Sequence, residues 1–234
     1  MKNKTFVLEI AVESVTAAQA AERGGADRIE LCTELRCGGL TPSTEMMRKA
    51  RDAVRVPIFV MTRPRAGDFS YTQEEFRAMQ RGIELAREMK MDGVVLGVLR
   101  DHFAVDVERT GALVLQARPM QVTFHRAFDV CSDLVRAMDD VIETGANRIL
   151  TSGGNPDVVS GLCVLQALIA QAGEGIVIVP GGGITPENFG EVQRKTGARE
   201  FHSGLGQVLA YGSEDIRSFE NGVRKLAGQR KAPI

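Results

Sequence analysis

The chain has 234 residues, 44% of them hydrophobic and 25% charged, with a formal net charge of −1. This length supports a sizeable core, and the balanced charge excludes a global pull toward nucleic acid or anionic lipid, so charge-based recognition must be local. Four cysteines without a C-x-x-C pair are too sparse for a disulfide scaffold, and the first residues hold no apolar run long enough for a secretory signal or a membrane span. The expectation is a soluble cytoplasmic protein with reduced thiols, no membrane partner and no nucleic-acid partner.

In chain order, FVLEI, DRIELC, PIFVMT, DGVVLG, MQVTFH, NRILTS, GIVIVP and REFHS read as short strands, each followed by a helix-like segment. Helix starts are signalled by Ser14, by Ser43 after Pro42, by Thr72 before QEEF, by Pro156 opening DVVSGLCVLQALIAQAG and by Pro186 opening ENFGEVQRKTG. An internal echo fixes the register: GADRIEL from Gly25, GANRILT from Gly145 and GAREFHS from Gly197 repeat one passage from helix end to strand. The offsets of 120 and 52 residues are about four units of 30 and two of 26, so the copies are strands two, six and eight of eight. Strands apolar on both faces, such as IVIV, suit a parallel sheet covered by helices. Eight units with no residues left over predict a single-domain α/β protein, a TIM (β/α)₈ barrel, with an open doubly wound sheet as the alternative.

Chemistry in such barrels lies at the carboxyl ends of the strands. The positions there include Glu9, Glu30 with Cys32, Arg63 with Arg65, His125 with Arg126, Thr151 with Ser152, Gly181 to Gly183, and His202 with Ser203. Alternation places Arg63 and Arg65 on one face if the strand stays extended, and sends His125 and Arg126 opposite ways, so that one of the latter pair faces the axis. The loops TSGG, PGGG and HSG offer bare amides and hydroxyls. Ser152, Gly153, Gly182, Gly183 and Ser203 are therefore candidates for holding an anion, with Arg63, Arg65 and Arg126 as charged partners. Glu9 and Glu30 interrupt buried runs, where a carboxylate must be paired, hydrogen-bonded or bound to metal. Glu9, Glu30, His125 and Asp129 are the candidates for moving a proton, and Cys32 and His202 for binding a metal. His102, in the polar loop RDHFAVD, is expected in solvent, and Cys131 and Cys163 are expected as small buried hydrophobes in helices. Every lysine lies in a terminus or a predicted helix, which argues against Schiff-base chemistry, and the chain has no G-x-S-x-G, H-E-x-x-H or G-x-G-x-x-G motif after a strand.

Taken in order, RGGADRIELC, GGLTPS, RPRAGDFSY, TFHRAFD, LTSGG, PGGGIT and EFHS resemble the copper homeostasis protein CutC family, from about Leu8 to Ser203. The resemblance implies a TIM barrel, involvement in copper homeostasis and Cu(I) binding, and often a homo-oligomer. It matches Cys32 to the family's ELC cysteine, Arg63 and Arg65 to its R-P-R pair, His125, Arg126 and Asp129 to its F-H-R-A-F-D, and Glu200 and His202 to its E-F-H. The chain departs from the family at Ala11 and Ala66 and has a shortened loop, GLGQVLAYGSED, after the last strand. Two readings stay open: a cytosolic copper-handling protein with Cys32 as the first Cu(I) ligand and Met61, Cys37 or a histidine as helpers, and a barrel enzyme using acid/base or metal-assisted chemistry on a small anionic phosphate- or carboxylate-bearing molecule.

Overall fold

A computed structural model describes residues 6–205 and 213–231. The shortened loop after the last strand falls largely on residues 206–212, outside the described residues. All eight expected strands are present: β1 (Val7–Val12), β2 (Arg28–Leu31), β3 (Ile58–Met61), β4 (Gly93–Leu96), β5 (Gln121–Phe124), β6 (Arg148–Thr151), β7 (Val177–Pro180) and β8 (Glu200–Ser203). They alternate with helices α1 (Val15–Gly24), α2 (Thr44–Ala53), α3 (Gln73–Glu88), α4 (Val107–Ala117), α5 (Leu134–Thr144), α6 (Leu162–Ala172), α7 (Phe189–Thr196) and α8 (Ser213–Gly228). The strands are all parallel, in the order β7-β6-β5-β4-β3-β2-β1-β8, so this is a nearly closed (β/α)₈ barrel rather than an open doubly wound sheet. At the seam between β7 and β8, the Ser203 hydroxyl donates to the Ile184 carbonyl at 2.7 Å.

The caps follow the local signals. Ser14, Ser43 and Thr72 each accept an amide of the first turn of α1, α2 and α3, and Thr72 forms a full capping box with Glu75. The echoed glycines Gly25, Gly145 and Gly197 all take left-handed conformations that end a helix. Two expected starts are displaced. Helix α6 begins at Leu162 rather than at Pro156, because the Asp157 carboxylate accepts the Val159 and Ser160 amides and turns the chain before the helix forms. Helix α7 begins at Phe189, beyond Pro186, where the Asn188 side chain bridges Thr185 and Gly183. The cysteines also differ from expectation: Cys163 is exposed on α6, while Cys131 is half-buried and lies outside any α-helix. His102 is exposed, as expected. Among the described residues, no helix is long and apolar enough to cross a membrane.

Most of the apolar core fills the layer between sheet and helices. Small residues on the inner face of α1 (Ala17, Ala18, Ala20, Ala21) let that helix lie close to the barrel, and α1 packs on α8 where the ring closes. At this contact a Cβ on Gly24 would lie 2.6 Å from Val223 Cβ and 2.9 Å from the Glu220 carbonyl oxygen. Gly24→Ala is therefore expected to destabilise the fold by about 1–3 kcal/mol, the usual cost of overpacking. Urea unfolding measures this, and an unchanged midpoint would mean that the two helices can part freely. A separate, smaller apolar cluster (Cys32, Phe59, Met61, Val95) lies inside the barrel.

Candidate active site

Polar side chains line the barrel interior in two tiers. In the lower tier, the Arg28 guanidinium pairs with both Glu9 and Glu200, the latter at 2.7 Å, and Arg148 contacts Glu200 at 3.2 Å and donates to Gln121 at 2.7 Å. Arg28 and Arg148 both stack on Phe59, at 4.8 and 5.1 Å from its ring centre. The internal repeat explains the arrangement: Arg28, Arg148 and Glu200 occupy the same slot in the three echoed copies, so three equivalent inward positions meet as one ionic group. Sequence reading passed over Arg28 and Arg148, although the echo held the signal.

Glu9 sits on top of this group and is fully buried. One carboxylate oxygen takes Arg28, and the other faces Nδ1 of His202 at 2.8 Å. Burial works to raise the Glu9 carboxyl, but Arg28 and His202 outweigh it and hold the group well below the usual carboxylate range. Glu9 lies beneath the mouth cavity and orients His202. Glu30 is 2% exposed, and its Oε2 has no hydrogen-bond partner. Burial pushes its carboxyl up to about 7, with His202 and Arg28 pulling down and Glu9 pushing further up. His202 is opposed by burial, yet the charges of Glu30 and Glu9 raise it above the ordinary histidine value. Acceptor atoms of Glu9, Glu30 and His202 lie within 4.8 Å of one another. The three lie close enough to hold a metal ion or to relay a proton, and both Glu9 oxygens are already engaged by Arg28 and His202.

Above this floor opens a cavity of about 480 Å³ at the carboxyl ends of the strands, within the roughly 300–1,000 Å³ of small-molecule sites. Glu30, Arg63, His125 and His202, scattered over the sequence, all line it. His125 is 3% exposed; its Nδ1 accepts the Ala127 amide at 3.2 Å, which puts the ring proton on Nε2, and Nε2 has no partner. Burial and the nearby Arg63 push its pKa down to about 3, so the imidazole is neutral. Room for the ring comes from Gly97 of the neighbouring strand's loop, where a Cβ would lie 2.7 Å from Nδ1.

The two arginines of RPR are separated. Strand β3 ends at Met61, so the extended conformation that would align them is lost. Arg63 turns inward and is 4% exposed; it donates to the carbonyls of Cys37 (2.7 Å), Gly39 (3.4 Å) and Gly67 (2.8 Å), and stacks on Phe69, with no ion pair to a carboxylate among the described residues. Arg65 turns outward, paired with Glu75 (2.6 Å) and Asp68 (2.8 Å), and does not line the cavity.

His125 and Arg126, expected to face opposite ways, both line the cavity, because the strand stops at Phe124 and a 3₁₀ turn, Arg126–Val130, swings Arg126 back. Arg126 is committed to Asp129 (2.7 Å) and to the Ser152 hydroxyl (2.8 Å). Asp129 also accepts the Thr151 hydroxyl, the Ser152 amide (3.0 Å) and hydroxyl (3.0 Å) and the Gly154 amide (3.1 Å). The anion that this loop holds is thus the chain's own carboxylate, and the saturated Asp129 is not a free base. The Gly153 amide donates to Thr151, and the hydroxyls of Ser152 and Ser203 are engaged by backbone groups, so these three residues, which the sequence proposed for anion binding, stand outside the cavity. Gly182 and Gly183 do line it, and among the described residues their amides meet no acceptor.

Cys32 is fully buried and does not line the cavity. Its thiol points to the Val12 carbonyl at 3.7 Å, and burial together with Glu30 pushes it well above the usual thiol range. It therefore does not join His202: the one group of three metal-capable side chains among the described residues pairs His202 with Glu9 and Glu30.

The profile of the CutC family matches residues 6–207. The copper homeostasis protein cutC homolog of Homo sapiens is 44% identical over 197 residues, spanning 84% of this chain and 72% of that one. A family protein CutC of Xanthomonas campestris pv. campestris is 44% identical over 204 residues, 87% of this chain and 85% of that one. The crystal structure of a CutC protein from Streptococcus agalactiae superimposes with a TM-score of 0.81 at 31% identity, covering 85% of this chain and 98% of that one. Thiamine phosphate pyrophosphorylase from Pyrococcus furiosus, at 19% identity and a TM-score of 0.64, shares the barrel alone. Sequence, fold and the order of the motifs around the barrel mouth agree: this chain belongs to the CutC family.

Proposed function

We propose that the mouth cavity takes up a small anionic molecule and moves a proton on it. The observation that carries this reading is Glu30, a buried carboxyl without a partner on Oε2, close to a histidine that Glu9 already orients. Glu30, its carboxyl pushed up to about 7, can take up or release a proton near neutral pH, as general acid–base catalysis requires, with His202 within 4.8 Å. Arg63 supplies positive charge that forms no ion pair among the described residues, and the Gly182 and Gly183 amides supply further donors for an anion.

Thermal shift against inorganic phosphate and small carboxylates tests the reading. A ligand at a hundred times its Kd stabilises by about 2.7 kcal/mol, or a Tm rise of roughly 5–10 °C for a chain of this size. Arg63→Ala is expected to weaken binding by roughly 10- to 150-fold, the worth of a charged hydrogen bond of about 1.5–3 kcal/mol. If no anion shifts the Tm, or if Arg63→Ala leaves the shift intact, the reading fails.

The names of the relatives favour copper as a second reading, and the resemblance points to Cys32 and His202. Cys32 and His202 do not form a Cu(I) pair: the thiol is turned to a carbonyl and burial holds it protonated, and the His202 imidazole is grouped with two hard carboxylates, whereas Cu(I) prefers sulfur, which Met61 and Cys37 offer at the cavity. Cys32→Ser is therefore expected to leave copper stoichiometry under reducing conditions unchanged, and loss of a bound copper in the variant would restore the cysteine site. A cytoplasmic setting accords with four unpaired cysteines. Self-association, implied by the resemblance, is measurable by light scattering.

A further inference from the structure

We propose that the cavity catalyses proton exchange at the carbon next to a carbonyl in a small anionic hydroxycarbonyl compound, with Glu30 as the base and the His125 Nε2–H as donor to the carbonyl oxygen. This inference rests on the reading above and names the reaction that reading left open. Two side chains lining the same cavity carry complementary unmet needs: Glu30 Oε2 is a buried oxygen with no donor, and His125 Nε2 is a buried N–H with no acceptor. They come from strands β2 and the end of β5, three positions apart around an eight-stranded ring, so they face the cavity from well-separated walls. A molecule between them can meet both at once. The His125 tautomer is fixed by the Ala127 amide on Nδ1, and Arg63 nearby keeps the ring from taking a second proton, so the imidazole donates without ionising.

The cavity also lacks the parts that other chemistries need. No lysine lines it; Asp129 is saturated, and Cys37 is hydrogen-bonded at the exposed rim. That leaves no lysine or serine among the described lining residues to carry a covalent intermediate. A carboxylate base opposed to a neutral imidazole donor is the pairing with which enolising sites work. In the step, the C–H bond α to the carbonyl breaks and its proton passes to Glu30. The C–H electrons form the carbon–carbon double bond, and the carbonyl π electrons move onto oxygen, where His125 Nε2–H and the charge of Arg63 stabilise the enolate. Return of the proton from Glu30 to the same carbon gives back the substrate; its return to the adjacent carbon, with the substrate's hydroxyl proton passing to the former carbonyl oxygen through His125 Nε2, gives the isomer, and no oxidant or second substrate is consumed. His202, held by Glu9, exchanges protons with Glu30 between turnovers.

The test incubates the protein in D₂O with dihydroxyacetone phosphate, glyceraldehyde 3-phosphate, ribulose 5-phosphate and hydroxypyruvate, following loss of the α C–H signal by proton NMR. Glu30→Gln and His125→Phe proteins are purified in parallel. The expected result is exchange with at least one probe, lowered roughly 10²–10⁴-fold in Glu30→Gln and roughly 10²–10³-fold in His125→Phe, while both variants keep the phosphate thermal shift. The wild-type rate should rise through a single ionisation near pH 7. Equal exchange in wild type and Glu30→Gln identifies a contaminating isomerase and overturns the inference. Absence of exchange with every probe, in a protein whose phosphate shift is lost in Arg63→Ala, overturns enolisation and leaves the anion site standing. Absence of both overturns the two together.

Discussion

Replacing Arg28 by leucine is expected to destabilise the protein by about 3–5 kcal/mol, the cost of leaving buried carboxylates without their cation. Among the described residues, Arg28 is the one group that touches both Glu9 and Glu200, and all three side chains are largely withdrawn from water. Leucine keeps most of the apolar volume over Phe59, so the loss reports charge rather than a cavity. At roughly 2–4 °C per kcal/mol for a chain of this size, the Tm should fall by about 6–20 °C. Arg28→Lys should recover only part of this, since one ammonium cannot reproduce a fork that reaches two carboxylates. A urea midpoint within 1 kcal/mol of wild type for Arg28→Leu would show that Arg148 and His202 already neutralise the interior.

Glu30→Gln is expected to act in the opposite direction, making the protein more stable at alkaline pH. The groups facing Glu30 are Glu9 from β1, Arg28 and Cys32 from its own strand and loop, and His202 from β8. Its carboxyl lies at about 7 in the folded chain against an ordinary 4.5, so the folded state binds this proton more tightly than the unfolded state. The stability it contributes is complete below pH 4.5 and is lost as pH rises through 7. At about 1.4 kcal/mol per pH unit, that window is worth ~3 kcal/mol, which an amide that cannot ionise does not lose. His202, also raised, adds to the decline above pH 6.5, whereas the depressed Glu9 makes its contribution above 4.5 and loses it on acidification. The interior cluster is thus most favourable near pH 4.5, where Glu9 is ionised and Glu30 still holds its proton. Tm measured from pH 5 to 8 should fall in wild type and fall less in Glu30→Gln, with the two proteins differing by about 6–12 °C at pH 8 and little at pH 5. Parallel curves would refute the raised carboxyl and with it the proton-transfer role.

Both expectations depend on the ionic tier beneath the cavity. Arg28, Arg148 and Glu200 hold Glu9, Glu9 holds His202, and His202 sits beside Glu30, so a chain of charged contacts links the bottom of the barrel to the reacting end.

The architecture and the convergence of polar residues at one rim were determined by the sequence itself, because each follows from local pattern. Short strands and helices alternate eight times, the echoed helix ends set the spacing, and a barrel places strand termini together whatever their distance along the chain. Tertiary structure alone decided depth and partnership. Cys32 and Glu9 stand outside the cavity lining, and Arg65 leaves it and Arg126 enters it because strands β3 and β5 stop before these two arginines and parity no longer applies. Asp129 is spent on its neighbours' loop, and Glu9 on residues 19 and 193 positions away. Which buried charge meets which partner depends on distances across the barrel that no local pattern encodes, and in a medium of low dielectric those distances fix where each proton resides.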